Sequence, residues 1–214
     1  MTLTAERFKL GMSYAEIKPK LPRNEPQMNQ IEQEIKLTEA DLAPWRKLAQ
    51  PVNVMVLVID PCPDVYTNLP ILERIARESG KLNVSIFMRD DNKDLMAEFM
   101  NGPYESVPVF AFYDPSFNLH SVFIERPKSV TDLRAEKTRE IHQQNPEFGP
   151  VGTSANQMAD DVRARYQAVT NQMRLDTKSF YIRETIRELG EIAEELAAKP
   201  ATAKWRGNLV AVPA

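Results

Sequence analysis

Val52-Asn53-Val54-Met55-Val56-Leu57-Val58-Ile59-Asp60-Pro61-Cys62-Pro63-Asp64-Val65 is the stretch on which the reading of this chain turns. Val52–Ile59 is a β-rich run, as expected of a strand buried on both faces. Pro61-Cys62-Pro63 breaks it. Downstream, Leu69, Leu72, Ile75 and Ala76 keep helical spacing as far as Gly80, a stop signal. Cys62 therefore stands between a buried strand and the start of a helix.

Working outward, Leu82–Met88 reads as a second strand. Asp91 or Asn92 would cap a short helix carrying Leu95, Met96 and Phe99, which Gly102-Pro103 ends. Val107–Tyr113 and Leu119–Ile124 read as two strands joined by a turn at Asp114-Pro115-Ser116-Phe117-Asn118. The order β-α-β-α-β-β predicts a parallel crossover followed by an antiparallel hairpin. The fold class is α/β: a mixed four-stranded sheet flanked by helices, with strand 107–113 beside strand 52–59.

Both flanks read as helical extensions. Ser13 with Glu16 makes a capping box, Met28, Ile31 and Ile35 share a helical face, and Thr38-Glu39-Ala40-Asp41 starts another helix. Residues 143–157 read as a linker. Met158, Val162, Tyr166, Val169 and Met173 then fall on one face, as do Ile182, Ile186, Leu189, Ala193 and Leu196. These stripes predict two helices covered by the rest of the protein or by a second copy in a homo-oligomer. The tail, Lys199–Ala214, shows no clear element.

Composition narrows the classes. The net charge of −3 gives no basic stripe of the kind nucleic acid needs. The longest aliphatic run, Val54–Ile59, is far short of the ~20 residues that span a bilayer. The N-terminal residues lack the apolar core of a signal peptide. One cysteine excludes an internal disulfide, and a reducing cytoplasm is the expected compartment. His120 and His142 have no metal-ligand spacing to Cys62, and nothing in the sequence asks for a metal or another cofactor.

A thiol at a helix N-terminus faces unpaired N–H groups and the positive end of the dipole, and Pro63 suits the first helical position. This predicts a Cys62 pKa below the free value of ~8.5, with Asp60 and Asp64 opposing. The plain alternative is that Cys62 packs as a small hydrophobe. Ser106-Val107-Pro108-Val109 places a proline in a β-rich run, either at a strand start or as a cis proline beside Cys62. Arg89-Asp90-Asp91-Asn92 reads as a helix cap before a ligand site, Arg126 as a solvated cation, and Asp132–Glu140 as a wet helix face. Tyr66 and Phe117 would line a groove by Cys62 or pack in the core.

Asp60-Pro61-Cys62-Pro63-Asp64-Val65 with Asn68-Leu69-Pro70 resembles the active-site turn of thioredoxin-fold proteins, and Val107-Pro108-Val109-Phe110 resembles their cis-proline strand. Gly11-Met12-Ser13-Tyr14, Leu37-Thr38-Glu39-Ala40-Asp41-Leu42, Phe87-Met88-Arg89-Asp90-Asp91-Asn92 and Arg126-Pro127 resemble, in order, motifs of a bacterial branch of that family. The resemblance covers residues 10–130. Together with the pattern read above, it divides the chain into a helical extension at 1–50, a thioredoxin-like domain at 51–142, and a linker with C-terminal helices at 143–214. It implies a site of Cys62 with Pro61, Pro63, Asp64, Val65, Val107 and Pro108.

The departures bear on activity. Val65 stands where a dithiol thioredoxin has its second cysteine, Pro61 replaces the usual tryptophan, and Val56 replaces the buried aspartate six residues upstream. A mixed disulfide at Cys62 could not be cleared internally. The leading expectation is a monothiol redox protein, a thiol-disulfide oxidoreductase in which Cys62 pairs with a protein or low-molecular-weight thiol or disulfide. The alternatives are a redox-inactive binding module with a groove beside Pro108 and a structural, self-associating protein.

Overall fold

The computed structural model describes residues 3–199 and 202–210. The chain begins with short helices α1 (Ala5–Phe8) and α2 (Tyr14–Ile17), then α3 (Glu25–Glu34) and α4 (Glu39–Arg46). Strand β1 (Val52–Val58), helix α5 (Pro63–Ser79), strand β2 (Leu82–Met88), helix α6 (Lys93–Met96), strands β3 (Val109–Tyr113) and β4 (Leu119–Ile124) follow in the expected order. Helices α7 (Lys128–Gln144), α8 (Asp160–Asp176) and α9 (Lys178–Ala198) come next, and β5 (Lys204–Gly207) is last.

The sheet has order β2-β1-β3-β4-β5. β1 pairs parallel with β2 and antiparallel with β3, and all seven of its residues are buried. The expected four strands are therefore present with a fifth beside them. Lys204–Gly207 pairs parallel with Ser121–Ile124 at the edge that a four-stranded sheet leaves open. An uncovered edge is a template for unwanted pairing, and β5 removes that row of free N–H and C=O groups. On the other side, Met12 exchanges backbone bonds of 2.8 and 2.9 Å with Ile86 of β2. Gly11 makes that approach possible, because a Cβ there would lie 2.0 Å from Ser85 Oγ.

Local signals were followed closely at several element ends. Ser13/Glu16 and Thr38/Asp41 both form complete capping boxes. Gly80 ends α5 in the left-handed conformation at φ 64°. Asn92 stands at the N-cap of α6 but does not cap with its side chain. Its amide instead donates to the Met88 carbonyl at 2.8 Å and accepts from Arg7 at 2.7 Å.

One large core takes residues from all parts of the chain. Ile17, Met28 and Trp45 join Val56, Phe110 and Phe123 of the sheet, Leu69 of α5, and Leu189 and Ile192 of α9. The apolar stripe of α9 is thus covered by the chain itself. That of α8 closes, with Ile141 of α7 and Phe148, into a smaller cluster with Met158, Val162 and Tyr166. The α9 stripe is buried, whereas the α8 residues of the stripe stay partly buried. Phe148, in the stretch read as a linker, is 1% exposed and pins that stretch down.

Among the described residues, no helix is long and apolar enough to cross a membrane.

Candidate functional site

Cys62 occupies the N-cap of α5 with extended backbone (φ −147°, ψ 120°), and Pro63 takes the first helical position. The strand-to-helix turn is held from outside the sheet. The Cys62 N–H donates to Asn24 Oδ1 at 3.0 Å, and Asn24 Nδ2 donates to the Ile59 carbonyl at 3.2 Å. Asp60 Oδ2 accepts the Arg23 N–H at 3.0 Å. Asn24 is 1% exposed, so these bonds compete with little water. Val65, in the position of the missing second thiol, is fully buried.

The segment before β3 faces this turn. The Asp60–Pro61 and Val107–Pro108 peptide bonds are both cis. Cys62 Sγ donates to the Val107 carbonyl at 3.6 Å. The Val107 N–H has no partner among the described residues. Pro108 is fixed on its far side, where its carbonyl accepts the Glu125 N–H at 2.8 Å.

The electrostatics overturn the expectation of a depressed thiol pKa. Burial of Cys62 pushes the thiol up, and the charges of Asp64 and Glu125 push the same way. Backbone N–H groups of Val65 and Asp64 pull it down, as a helix start should, but they do not win. The helix end acts with the expected sign, and desolvation outweighs it.

Asp64 is itself enclosed. It is 7% exposed, pairs with Arg126 and with Arg134 at 3.3 Å, and accepts the Tyr181 hydroxyl at 2.8 Å. Burial, then the Asp64 charge, raises the Tyr181 phenol well above its ordinary pKa, so it stays a donor. Arg126 is therefore a half-buried partner of Asp64 rather than a fully solvated cation. Asn68, one helical turn on, donates to the Tyr181 oxygen at 2.9 Å and accepts from Thr185 at 2.9 Å. Helix α9 is bonded directly to the helix that carries Cys62.

An open groove runs along this face. Pro61, Cys62 and Asp64 form one wall, Tyr104 and Val107 the other, and Asn208 and Val210 close one end. Tyr104 is 60% exposed on its rim. Arg89, read as part of a cap, reaches the groove and donates to the Glu105 carbonyl at 3.1 Å. Tyr66 lies near Cys62, whereas Phe117 packs on Phe8 and Tyr113 at the turn between β3 and β4. Asn24, Asn101, Tyr181 and Asn208 belong to the site, and no local sequence signal marks them. Among the described residues, no group of three or more His, Cys, Asp or Glu side chains could hold a metal.

The chain is similar to solved structures of the same architecture. A protein of unknown function from Pseudomonas aeruginosa is 20% identical, with a TM-score of 0.63, covering 92% of this chain and 100% of that one. An HIV epitope-scaffold protein is 16% identical, with a TM-score of 0.58, covering 89% of this chain and 96% of that one. At these identities the likeness is one of fold. Among curated proteins, none matches. A thioredoxin family model matches residues 11–139, from the Gly-Met-Ser-Tyr motif through β4 and into α7, and the chain belongs to that thioredoxin family.

Proposed function

We propose that this thioredoxin-like protein is a redox-inactive binding module that takes an extended polypeptide in the groove that Cys62 and Val107 line together. The observation that carries this reading is the Cys62 thiol, half-buried and donating to the Val107 carbonyl, with no second cysteine in the chain. A thiol that donates a hydrogen bond is protonated, and the protonated form is a poor nucleophile. The Val107 N–H beside it, without a partner among the described residues, offers main-chain pairing to an extended partner. Pro61, Pro63 and Asp64 shape one wall of the groove, while Val65 and Pro108 fill the layer beneath.

A second reading is favoured by the backbone N–H groups of Val65 and Asp64 directed at the sulfur. In it, Cys62 forms a mixed disulfide with a protein or low-molecular-weight thiol in a reducing cytoplasm, and an external thiol releases it. Alkylation of Cys62 as a function of pH separates the two. A midpoint above the free-thiol value of ~8.5, with no mixed disulfide formed on incubation with oxidised glutathione at neutral pH, supports the binding module. A midpoint below that value with ready mixed-disulfide formation replaces it by the monothiol reading.

A further inference from the structure

Beyond β5 the chain turns across the open end of the groove. Gly207 makes the turn at φ 93°, where a Cβ would lie 2.1 Å from the Ile124 carbonyl oxygen. The Asn208 N–H still bonds to Ile124 O at 3.0 Å. From there the segment passes to Asn101, whose side chain is 4% exposed. Asn101 Nδ2 donates to the Asn208 carbonyl at 2.7 Å, and Asn101 Oδ1 accepts the Val210 N–H at 2.7 Å. Asn101 is held ready for this by its own main-chain bridge to Tyr104, with bonds of 2.9 and 3.2 Å. The Val210 side chain lies over Gly102, where an added Cβ would stand 3.3 Å from Cγ1.

These contacts read a polypeptide by its main chain. One carboxamide spans the C=O of one residue and the N–H of the residue two further on, which an extended segment of almost any sequence can supply. The preferred side chain over Gly102 is small and branched. The hold is modest: each neutral bond is worth about 1 kcal/mol net, and Leu209 and Val210 stay 43% and 39% exposed. Asn208 also connects to the carboxylate of Asp64, two residues from the thiol. Its Oδ1 accepts from Thr131 at 3.0 Å, Thr131 accepts from Arg126 at 3.1 Å, and Arg126 pairs with Asp64.

We propose that Asn101 and Gly102 form a docking site for an extended peptide segment, and that Asn208–Val210 is its resident occupant, displaced when a partner segment of the same chemistry binds in trans. This rests on the binding-module reading and assigns the residues that recognise the partner and the element that competes with it.

The test uses a synthetic peptide of residues 207–214 as the probe, followed by fluorescence polarisation. A chain shortened to end at Gly207 should bind the peptide, and the full chain should bind it at least about tenfold more weakly, since its own segment is present at high effective concentration. Asn101→Ala in the shortened chain should weaken binding about tenfold. Equal binding by both chains, or no binding by a shortened chain that melts cooperatively, would overturn the proposal. If the shortened chain does not fold, Asn101→Ala in the full chain should raise the Cys62 alkylation rate at fixed pH several-fold, and an unchanged rate would overturn it. The alkylation midpoint of the wild type is a separate measurement. A high midpoint with no peptide binding removes the resident-segment proposal alone, whereas a low midpoint with peptide binding removes the redox-inactive reading alone.

Discussion

The Tyr181 hydroxyl donates to the Asp64 carboxylate across 2.8 Å, tying helix α9 to the first turn of the helix that begins at Cys62. Arg126 and Arg134 complete the enclosure of this buried carboxylate. Removing one member of a buried ion pair costs about 3–5 kcal/mol, because its partners stay charged and unmatched.

Asp64→Asn should therefore lower stability by about that amount in a denaturant titration. It should also move the Cys62 alkylation midpoint to lower pH. The sign follows from charge: the substitution deletes an anion beside the sulfur, takes the paired carboxylate from Arg134 and leaves Arg126 with Glu125 alone at 3.5 Å, and both changes favour the thiolate. Tyr181→Phe leaves the charges in place. It should cost about 1–2 kcal/mol, with a much smaller change in the midpoint. An unmoved midpoint in Asp64→Asn would mean that burial alone sets the thiol.

Asn24→Ala should loosen the Cys62 turn without touching the sheet. It removes the acceptor of the Cys62 N–H and the donor to the Ile59 carbonyl. A loss of about 1–3 kcal/mol is expected, with faster alkylation of Cys62 at a given pH. Amide exchange at Cys62 should quicken, while exchange in β1 stays slow. Uniform quickening would instead place Asn24 in the global fold.

Asp41 and Arg183 give the fold an acid limit. The Arg183 guanidinium beside Asp41, aided by Thr38, holds the carboxyl down at about 2. The unfolded value is ~3.9. A depressed acid contributes stability that is complete above its unfolded pKa and lost as pH falls through the folded one. The contribution should fade from about pH 4 to about pH 2. Arg183→Gln should shrink the difference in stability between the ends of that window, as read by urea midpoints. An identical pH profile would exclude the pair as its source.

Gly11→Ala should break the Met12–Ile86 bridge. The new Cβ would meet Ser85 Oγ at 2.0 Å and the Phe87 ring at 2.8 Å. Overpacking of this kind costs about 1–3 kcal/mol. Because Met12 guards the outer edge of β2, light scattering on heating should begin earlier than in the wild type. A variant as stable and as soluble as the wild type would mean that the edge needs no guard.

What could be read in the residues was whatever is local or periodic. The β1 run, the α5 stripe ending at Gly80, the two capping boxes and the Asp114–Asn118 turn each follow from a few neighbouring side chains. β5 was not legible, since Lys-Trp-Arg-Gly has no strand pattern of its own and exists because β4 presents an edge. Of the site, Cys62 and the Val107-Pro108 segment stood out by sequence. Asn24 and Tyr181 did not, because they act across sequence separations of 38 and 117 residues. The thiol was misjudged for the same reason: the helix end is local, whereas burial is a property of everything packed around it.

The clamp of Asn24 on Cys62 has a consequence for heredity. A recombinant that took residues 52–127 from one relative and the flanks from another would inherit a sheet and a cysteine, but not the amide that seats the turn or the phenol that seats Asp64. In a lineage, a replacement at position 24 would have to travel with compensating changes at 59–62, and one at 181 with changes at 64 or 68. The smallest stretch that transmits this site intact therefore runs from the Arg23-Asn24 pair to Val210, well past both ends of residues 52–127.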